Sequence, residues 1–133
     1  MKYSIGDVIQ LRFGTLKSSE GKYIVDTHHM FIIIKIKGNK YVISPASSKN
    51  NKLNPFEYPD NIQLRDALKA GFSKPNTHVK VDKISYVEDK DIYKIIGRVT
   101  NNDLQRLRRE QQSCVNVKIV EQLNIFEFMK NIK

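Results

Sequence analysis

The 133-residue chain contains no tryptophan and a single cysteine, Cys114, so it forms neither an internal disulfide nor a cysteine-built metal site. It has no apolar run near the roughly 18 residues that a membrane span needs. Residues 1–7 also lack the apolar core of a secretory signal peptide. We therefore expect a cytoplasmic protein that makes no contact with a membrane.

Acidic residues are scarce, because 14 Asp and Glu stand against 23 Lys and Arg and leave a formal charge of +9. Residues 27–56 contain no acidic residue, and every charged residue there is a lysine: Lys35, Lys37, Lys40, Lys49 and Lys52. Lysines on strands can simply discourage edge pairing. A stretch without any counter-charge instead favours attraction of phosphate groups, so we expect a polyanionic partner.

The length fits one domain over residues 1–133, with a core at about 5–112 and an extension at 113–133. Alternating or β-branched segments predict strands over 6–13, 30–36, 41–44, 77–87, 92–99 and 114–120, and a short strand with a helical turn over 62–70. The Gly38-Asn39 pair predicts a hairpin turn between the second and third of these segments. The charged turn at 88–91 predicts a second hairpin, in which 92–99 pairs with 77–87.

Polar residues fill 45–60, which we interpret as a long loop of the kind that often carries function. The N-cap residues at 100–103 predict a helix to about Gln112, with Leu104 and Leu107 facing inward. A terminal helix then places Leu123, Phe126 and Met129 on one side, either packed on the core, closing the barrel or forming a dimer contact. The predicted fold is α+β, mainly β: a small half-open antiparallel barrel with a late helix and a C-terminal helical extension.

Six segments occur in an order and spacing typical of one family: 6–9, 28–34, 44–48, 79–84, 96–99 and the helix from Asn102. In this respect the chain resembles the MazF/PemK family of bacterial toxin endoribonucleases over roughly residues 5–112. The resemblance implies an SH3-like barrel, a homodimer, and an acidic protein antitoxin as partner. It also implies cleavage of single-stranded RNA without metal or cofactor, by attack of the 2′-hydroxyl on the adjacent phosphorus.

The candidate catalytic residues combine this resemblance with the needs of the reaction, which are a base, an acid and donors to the phosphorane. Where the family has an arginine this chain has His29, preceded by His28, and Ser47 or Ser48 fits the family's Thr or Ser position. Histidine carries protons near neutral pH, so His28, His29 and His78 are candidate acids and bases. The alternatives are packed or exposed histidines without a catalytic role and serines that only shape a turn.

Aromatic residues are interleaved with the lysines, as in proteins that stack bases beside phosphate contacts. Tyr41 and Phe72 belong to this pattern, although such rings often pack in a core. The predicted RNA-binding residues are Lys35, Lys37, Lys49, Lys52, Phe56 and Tyr58.

Three functional hypotheses follow from these features. The first is a sequence-selective endoribonuclease that acts as the toxin of a toxin–antitoxin pair. The second is a non-catalytic nucleic-acid-binding barrel. The third is an RNA-processing toxin of the ToxN type, which segment 31–48 also resembles and which would be held by a structured RNA rather than by an acidic protein.

Overall fold

The computed structural model describes residues 1–12, 30–47, 61–114 and 117–119. Within these ranges the chain forms eight strands and one α-helix, with a 3-10 turn at Asp89–Asp91. The strands are β1 Asp7–Leu11, β2 Met30–Lys37, β3 Lys40–Ser47, β4 Asn61–Gln63, β5 His78–Lys80, β6 Lys83–Val87, β7 Ile92–Arg98 and β8 Lys118–Ile119. Helix α1 spans Asn101–Ser113. The prediction of an α+β, mainly β class is confirmed.

The strands form an open sheet in the order β4-β5-β3-β2-β1-β7. Strand β3 pairs on one side with β2 and on the other with two strands in succession, β5 at Ala46 and Ser47 and β6 at 41–43. All of these pairings are antiparallel, whereas β8 pairs with β6 in parallel. Strand β3 therefore lies at the centre of the architecture, and α1 packs beside it.

Both faces of the sheet are covered by apolar side chains, which explains why all five residues of β1 are buried. One face carries Val8, Ile32 and Val79 and packs against α1 through Leu107; we call it the helix face. The opposite face carries a second cluster that includes Ile9, Phe31, Ile33, Tyr41, Ile43, Val87 and Ile92.

Helix α1 agrees with its prediction. Its N-cap is Thr100, whose hydroxyl accepts a hydrogen bond from the backbone N–H of Asp103. Leu107 is buried in the helix-face core, and Leu104 packs against that core. The Gly38-Asn39 turn is also confirmed, because β2 and β3 pair directly across it and Gly38 has a φ of +64°. The predicted terminal helix at 123–130 lies outside the described residues.

Two boundary predictions were wrong around β3. The strand continues through Pro45 to Ser47, which the sequence had placed in a loop. Segment 77–87 is two strands rather than one, with a turn at 81–82. Pro45 has no N–H with which to extend the ladder. Beside it the Ser44 hydroxyl donates to the carbonyl of Lys83 at 2.7 Å, so a side chain replaces backbone pairing where the ladder breaks.

The predicted hairpin between 77–87 and 92–99 was also wrong, because β7 pairs with β1. The 3-10 turn at Asp89–Asp91 separates β6 from β7 and leads to the end of β1, where the backbone N–H of Arg12 donates to the carbonyl of Asp91 at 2.8 Å. Strand β7 joins the outer edge of β1 instead, where Arg98 forms an ion pair with Asp7 at 3.0 Å.

Candidate nucleic-acid interface

An open groove of about 290 Å³ lies on the helix face, between α1 and the strands β2, β3 and β6. We call it the basic groove. Its lining residues are Ile34, Lys35, Lys37, Val42, Ile84, Tyr86, Arg108, Gln111, Gln112 and Val117. It therefore joins residues from three strands, the C-terminal half of α1 and the start of the segment that follows the helix.

A shift in strand register places the lysines of β2 at this groove. Ile33 pairs with Ile43, but Lys35 pairs with Val42, so one extra residue is inserted between them. A bulge of this kind changes the face to which the following side chains point. Ile34, Lys35 and Lys37 consequently all line the basic groove, although strict alternation from Ile33 would send the two lysines to the opposite face.

Three cationic side chains surround the basic groove from two walls. Lys35 and Lys37 are exposed on β2, and Arg108 is exposed on α1. No carboxylate is among the described residues that line the groove, and none in the described ranges forms an ion pair with these three cations. Among the described residues, nothing neutralises the charge that they present to an anion.

The floor of the basic groove is apolar. Val42 on β3 is 2% exposed and pairs with Tyr86 on β6, and Ile34 and Ile84 flank them. Tyr86 is half-buried and lines the groove. An apolar floor, an aromatic ring and a cationic rim are the components with which proteins hold single-stranded nucleic acids.

Hydrogen bonds from Gln111 hold the helical wall of the groove against the sheet. Its Nε2 donates to the hydroxyl of Ser44 at 3.0 Å and to the carbonyl of Val81 at 3.1 Å. Ser44 in turn donates to Lys83 O, so α1, β3 and the start of β6 form one connected network. The position of Arg108, one helical turn earlier, is fixed by this attachment.

The other end of α1 is anchored by the carboxylate of Asp103, which is fully buried. It accepts hydrogen bonds from the backbone N–H groups of Arg65 at 3.0 Å and Asp66 at 2.9 Å. It also pairs with Arg106, whose Nη1 lies 3.0 Å from Oδ1 and 3.1 Å from the carbonyl of Gln63. The N-terminal end of the helix is thus tied to β4 and the residues that follow it, and the C-terminal end to β3 and to Val81 before β6.

The predicted catalytic residues that the structure describes are Ser47 and His78. They are direct register partners on β3 and β5, so the fold brings them together. His78 is fully buried, whereas Ser47 is half-buried. His28, His29 and Ser48 lie outside the described residues, as do Lys49, Lys52, Phe56 and Tyr58 from the predicted RNA-binding set.

Ser47 and His78 do not meet the basic groove. Along β3 the side chains of Ser44 and Ala46 face α1 or its core, so Ser47 lies on the opposite face. Ser47 is also five residues from Val42, which corresponds to about 17 Å along the strand. The predicted phosphate-binding lysines and the predicted catalytic pair therefore belong to two different parts of the sheet.

Two aromatic residues of the interleaved pattern, Tyr41 and Phe72, are buried in the core. Tyr41 donates a hydrogen bond from its hydroxyl to Asp89 and accepts one from the backbone N–H of Tyr3 at 3.1 Å. Burial, together with the Asp89 carboxylate, raises the pKa of Tyr41, and the same hydrogen bond lowers the pKa of Asp89. Tyr41 is therefore a structural residue rather than a stacking platform.

Sequence reasoning identified Lys35 and Lys37 but missed the other described groove residues as members of a site, among them Tyr86, Arg108, Gln111 and Gln112. Arg108 carried a signal, since it belongs to the basic cluster at 106–109. Tyr86 lies within the predicted strand 77–87, and its residue type favours a strand without indicating a site. Nothing in the local sequence marks Gln111 or Gln112, because their role depends on where α1 packs.

No group of three or more His, Cys, Asp and Glu side chains in the described ranges is arranged to hold a metal ion. Among the same residues, no helix combines the length and apolar character needed to cross a membrane. Neither the protein-family models nor the curated proteins give a match to this chain.

Proposed function

We propose that this chain binds single-stranded RNA in the basic groove. The observation that carries the proposal is the convergence of Lys35, Lys37 and Arg108 around an apolar floor that contains Tyr86, without an opposing carboxylate among the described lining residues. Phosphate contacts supply most of the affinity of such sites. The aromatic and apolar floor adds contacts to bases, which a duplex keeps stacked inside its helix.

We further propose that the bound RNA is cleaved, with the chain acting as the toxin of a toxin–antitoxin pair. The support for this step is the ordered resemblance to MazF/PemK endoribonucleases, which also supplies the proposals of an SH3-like barrel, a homodimer and an acidic protein antitoxin. In this scheme the basic groove holds the RNA strand, and His28, His29 and Ser47 act in its cleavage. Cleavage thus requires the strand to extend beyond the groove.

The test is incubation of the purified protein with end-labelled single-stranded RNA in EDTA, with binding followed by fluorescence anisotropy and cleavage by gel electrophoresis. We expect binding that Lys35→Gln combined with Lys37→Gln weakens. The matched control is Lys69→Gln combined with Lys94→Gln, which removes the same charge from two exposed positions outside the groove. Equal affinities of the two double variants would contradict the groove assignment.

Cleavage is scored separately in the same samples. Fragments ending in a cyclic phosphate support the endoribonuclease, and their loss in His29→Ala or Ser47→Ala supports the residue roles. Intact RNA at stoichiometric protein would remove the catalytic step and leave the non-catalytic RNA-binding alternative. Copurification of a repetitive RNA instead of an acidic protein would favour the ToxN-type alternative.

A further inference from the structure

The composition of the basic groove indicates how much of a strand it holds. We propose that it accommodates a single unstacked RNA base against Tyr86, with the phosphates on either side of that base bound by Lys35 and Lys37 on one wall and Arg108 on the other. The inference rests on the proposed function and specifies its ligand.

The size of the groove supports one base rather than several. Pockets for drug-sized ligands span about 300–1,000 Å³, and the basic groove, at about 290 Å³, is at the lower end. A stack of consecutive bases would need a longer platform with further aromatic side chains. Tyr86 is the aromatic residue among the described residues that line the groove.

The arrangement of polarity supports a base flanked by phosphates. The floor of Ile34, Val42 and Ile84 offers no hydrogen-bonding side chain, which suits the flat face of a base. The cations come from two different elements, Lys35 and Lys37 from β2 and Arg108 from α1. A nucleotide strand has the same alternation, since each base projects from a backbone that carries a phosphate on both sides.

The same geometry selects against duplex RNA. A base within a duplex is paired and stacked, so it reaches the floor only after it is flipped out of the helix, which carries a free-energy cost. A single strand presents its bases without that cost. The basic groove should therefore bind single-stranded RNA more tightly than duplex RNA, in addition to its preference for anions.

The experiment compares two five-residue ribose-phosphate strands of equal charge. One carries a base only at its centre, and the other is abasic throughout. With the wild-type protein we expect the one-base strand to bind about 5- to 150-fold more tightly, the range that stacking of one base on an aromatic ring provides. Tyr86→Leu should bring the two affinities together, whereas Tyr86→Phe should preserve the difference.

Tyr93→Leu is the matched control, because Tyr93 is exposed on β7 and does not line the groove. It should behave as the wild type. Equal affinity of the wild type for both strands, or an unchanged difference in Tyr86→Leu, would overturn the single-base site while leaving RNA binding by charge intact. Absence of binding to either strand and to longer single-stranded RNA would overturn the proposed function itself. Persistence of the difference in Tyr86→Phe guards against reading a folding defect as loss of stacking.

Discussion

Removing two of the three cations of the basic groove should flatten the salt dependence of RNA binding by a calculable amount. Each phosphate neutralised on a single strand contributes a slope of about −0.7 to the plot of log Kobs against log salt concentration. Lys35 and Lys37 share one of the two phosphates and Arg108 binds the other, so the groove contributes a slope of about −1.4, of which Lys35→Gln with Lys37→Gln removes about 0.7. Glutamine keeps much of the side-chain bulk, so the change is mainly one of charge.

The consequence is large within an ordinary range of buffers. Between 50 and 200 mM salt, a slope of about −1.4 lowers the binding constant about 7-fold, whereas the remaining slope of about −0.7 lowers it about 2.6-fold. Fluorescence anisotropy titrations with a labelled single strand at four salt concentrations measure both slopes. Residues outside the groove contribute the same slope in the wild type and in Lys35→Gln with Lys37→Gln. The predicted quantity is therefore the difference between the two slopes.

The control for this prediction is again Lys69→Gln with Lys94→Gln, which has the same net charge as the groove variant. We expect its slope to stay near that of the wild type. If the two double variants lose the same slope, attraction depends on net charge alone and the groove has no particular role. An unchanged slope in the groove variant would show that Lys35 and Lys37 do not neutralise phosphates.

Three further predictions concern the scaffold that holds the groove. Asp103→Ala leaves two backbone N–H groups and an arginine without their buried acceptor, and should lower the free energy of unfolding in urea by about 3–5 kcal/mol; a loss below 1 kcal/mol would contradict the anchoring role. Gly97→Ala places a Cβ against the backbone carbonyl oxygen of Ala70, and should lower the melting temperature through a loss of about 1–3 kcal/mol; an unchanged melting temperature would argue against this close approach. Tyr41 has a raised pKa in the folded state, so its stabilisation is present below the ordinary value of 10.0 and is lost as the pH rises above it. The free energy of unfolding should therefore fall more steeply above pH 10 in the wild type than in Tyr41→Phe, and parallel pH profiles would refute this.

Local signals predicted the elements whose cause is local. The Gly38-Asn39 pair favours a tight turn whatever surrounds it, and Thr100 caps a helix through its own hydroxyl. The pairing of β7 with β1 has no such local cause, because the two strands are far apart in the chain. The sequence therefore predicts pairing with the preceding strand segment, whereas in the structure β7 pairs with β1.

The candidate site was predictable only in part for the same reason. The absence of acidic residues around Lys35 and Lys37 is visible in the sequence, and both lysines line the groove. The register shift that brings both lysines to the groove, and the packing of α1 that brings Arg108 to the same groove, are tertiary features. Tyr86 could be recognised as a strand former but not as the ring at the floor of a groove.

The position of Ser47 adds a constraint on any cleavage mechanism. It shares β3 with the groove residue Val42, but it lies on the opposite face of the sheet and about 17 Å away. An RNA strand held in the basic groove would have to pass around the β-sheet to reach Ser47. Binding and cleavage should therefore separate by mutation, with the groove variants affecting affinity and Ser47→Ala affecting turnover of the bound RNA.

The most direct test of the central proposal is to locate the RNA on the folded protein. Titration of isotope-labelled protein with a short single-stranded RNA, followed by backbone amide NMR, reports which residues change environment. We expect the largest shifts at Lys35, Lys37, Tyr86 and Gln112, with only small shifts along β7. Shifts confined to β7, or to the face that carries Ser47, would contradict binding in the basic groove.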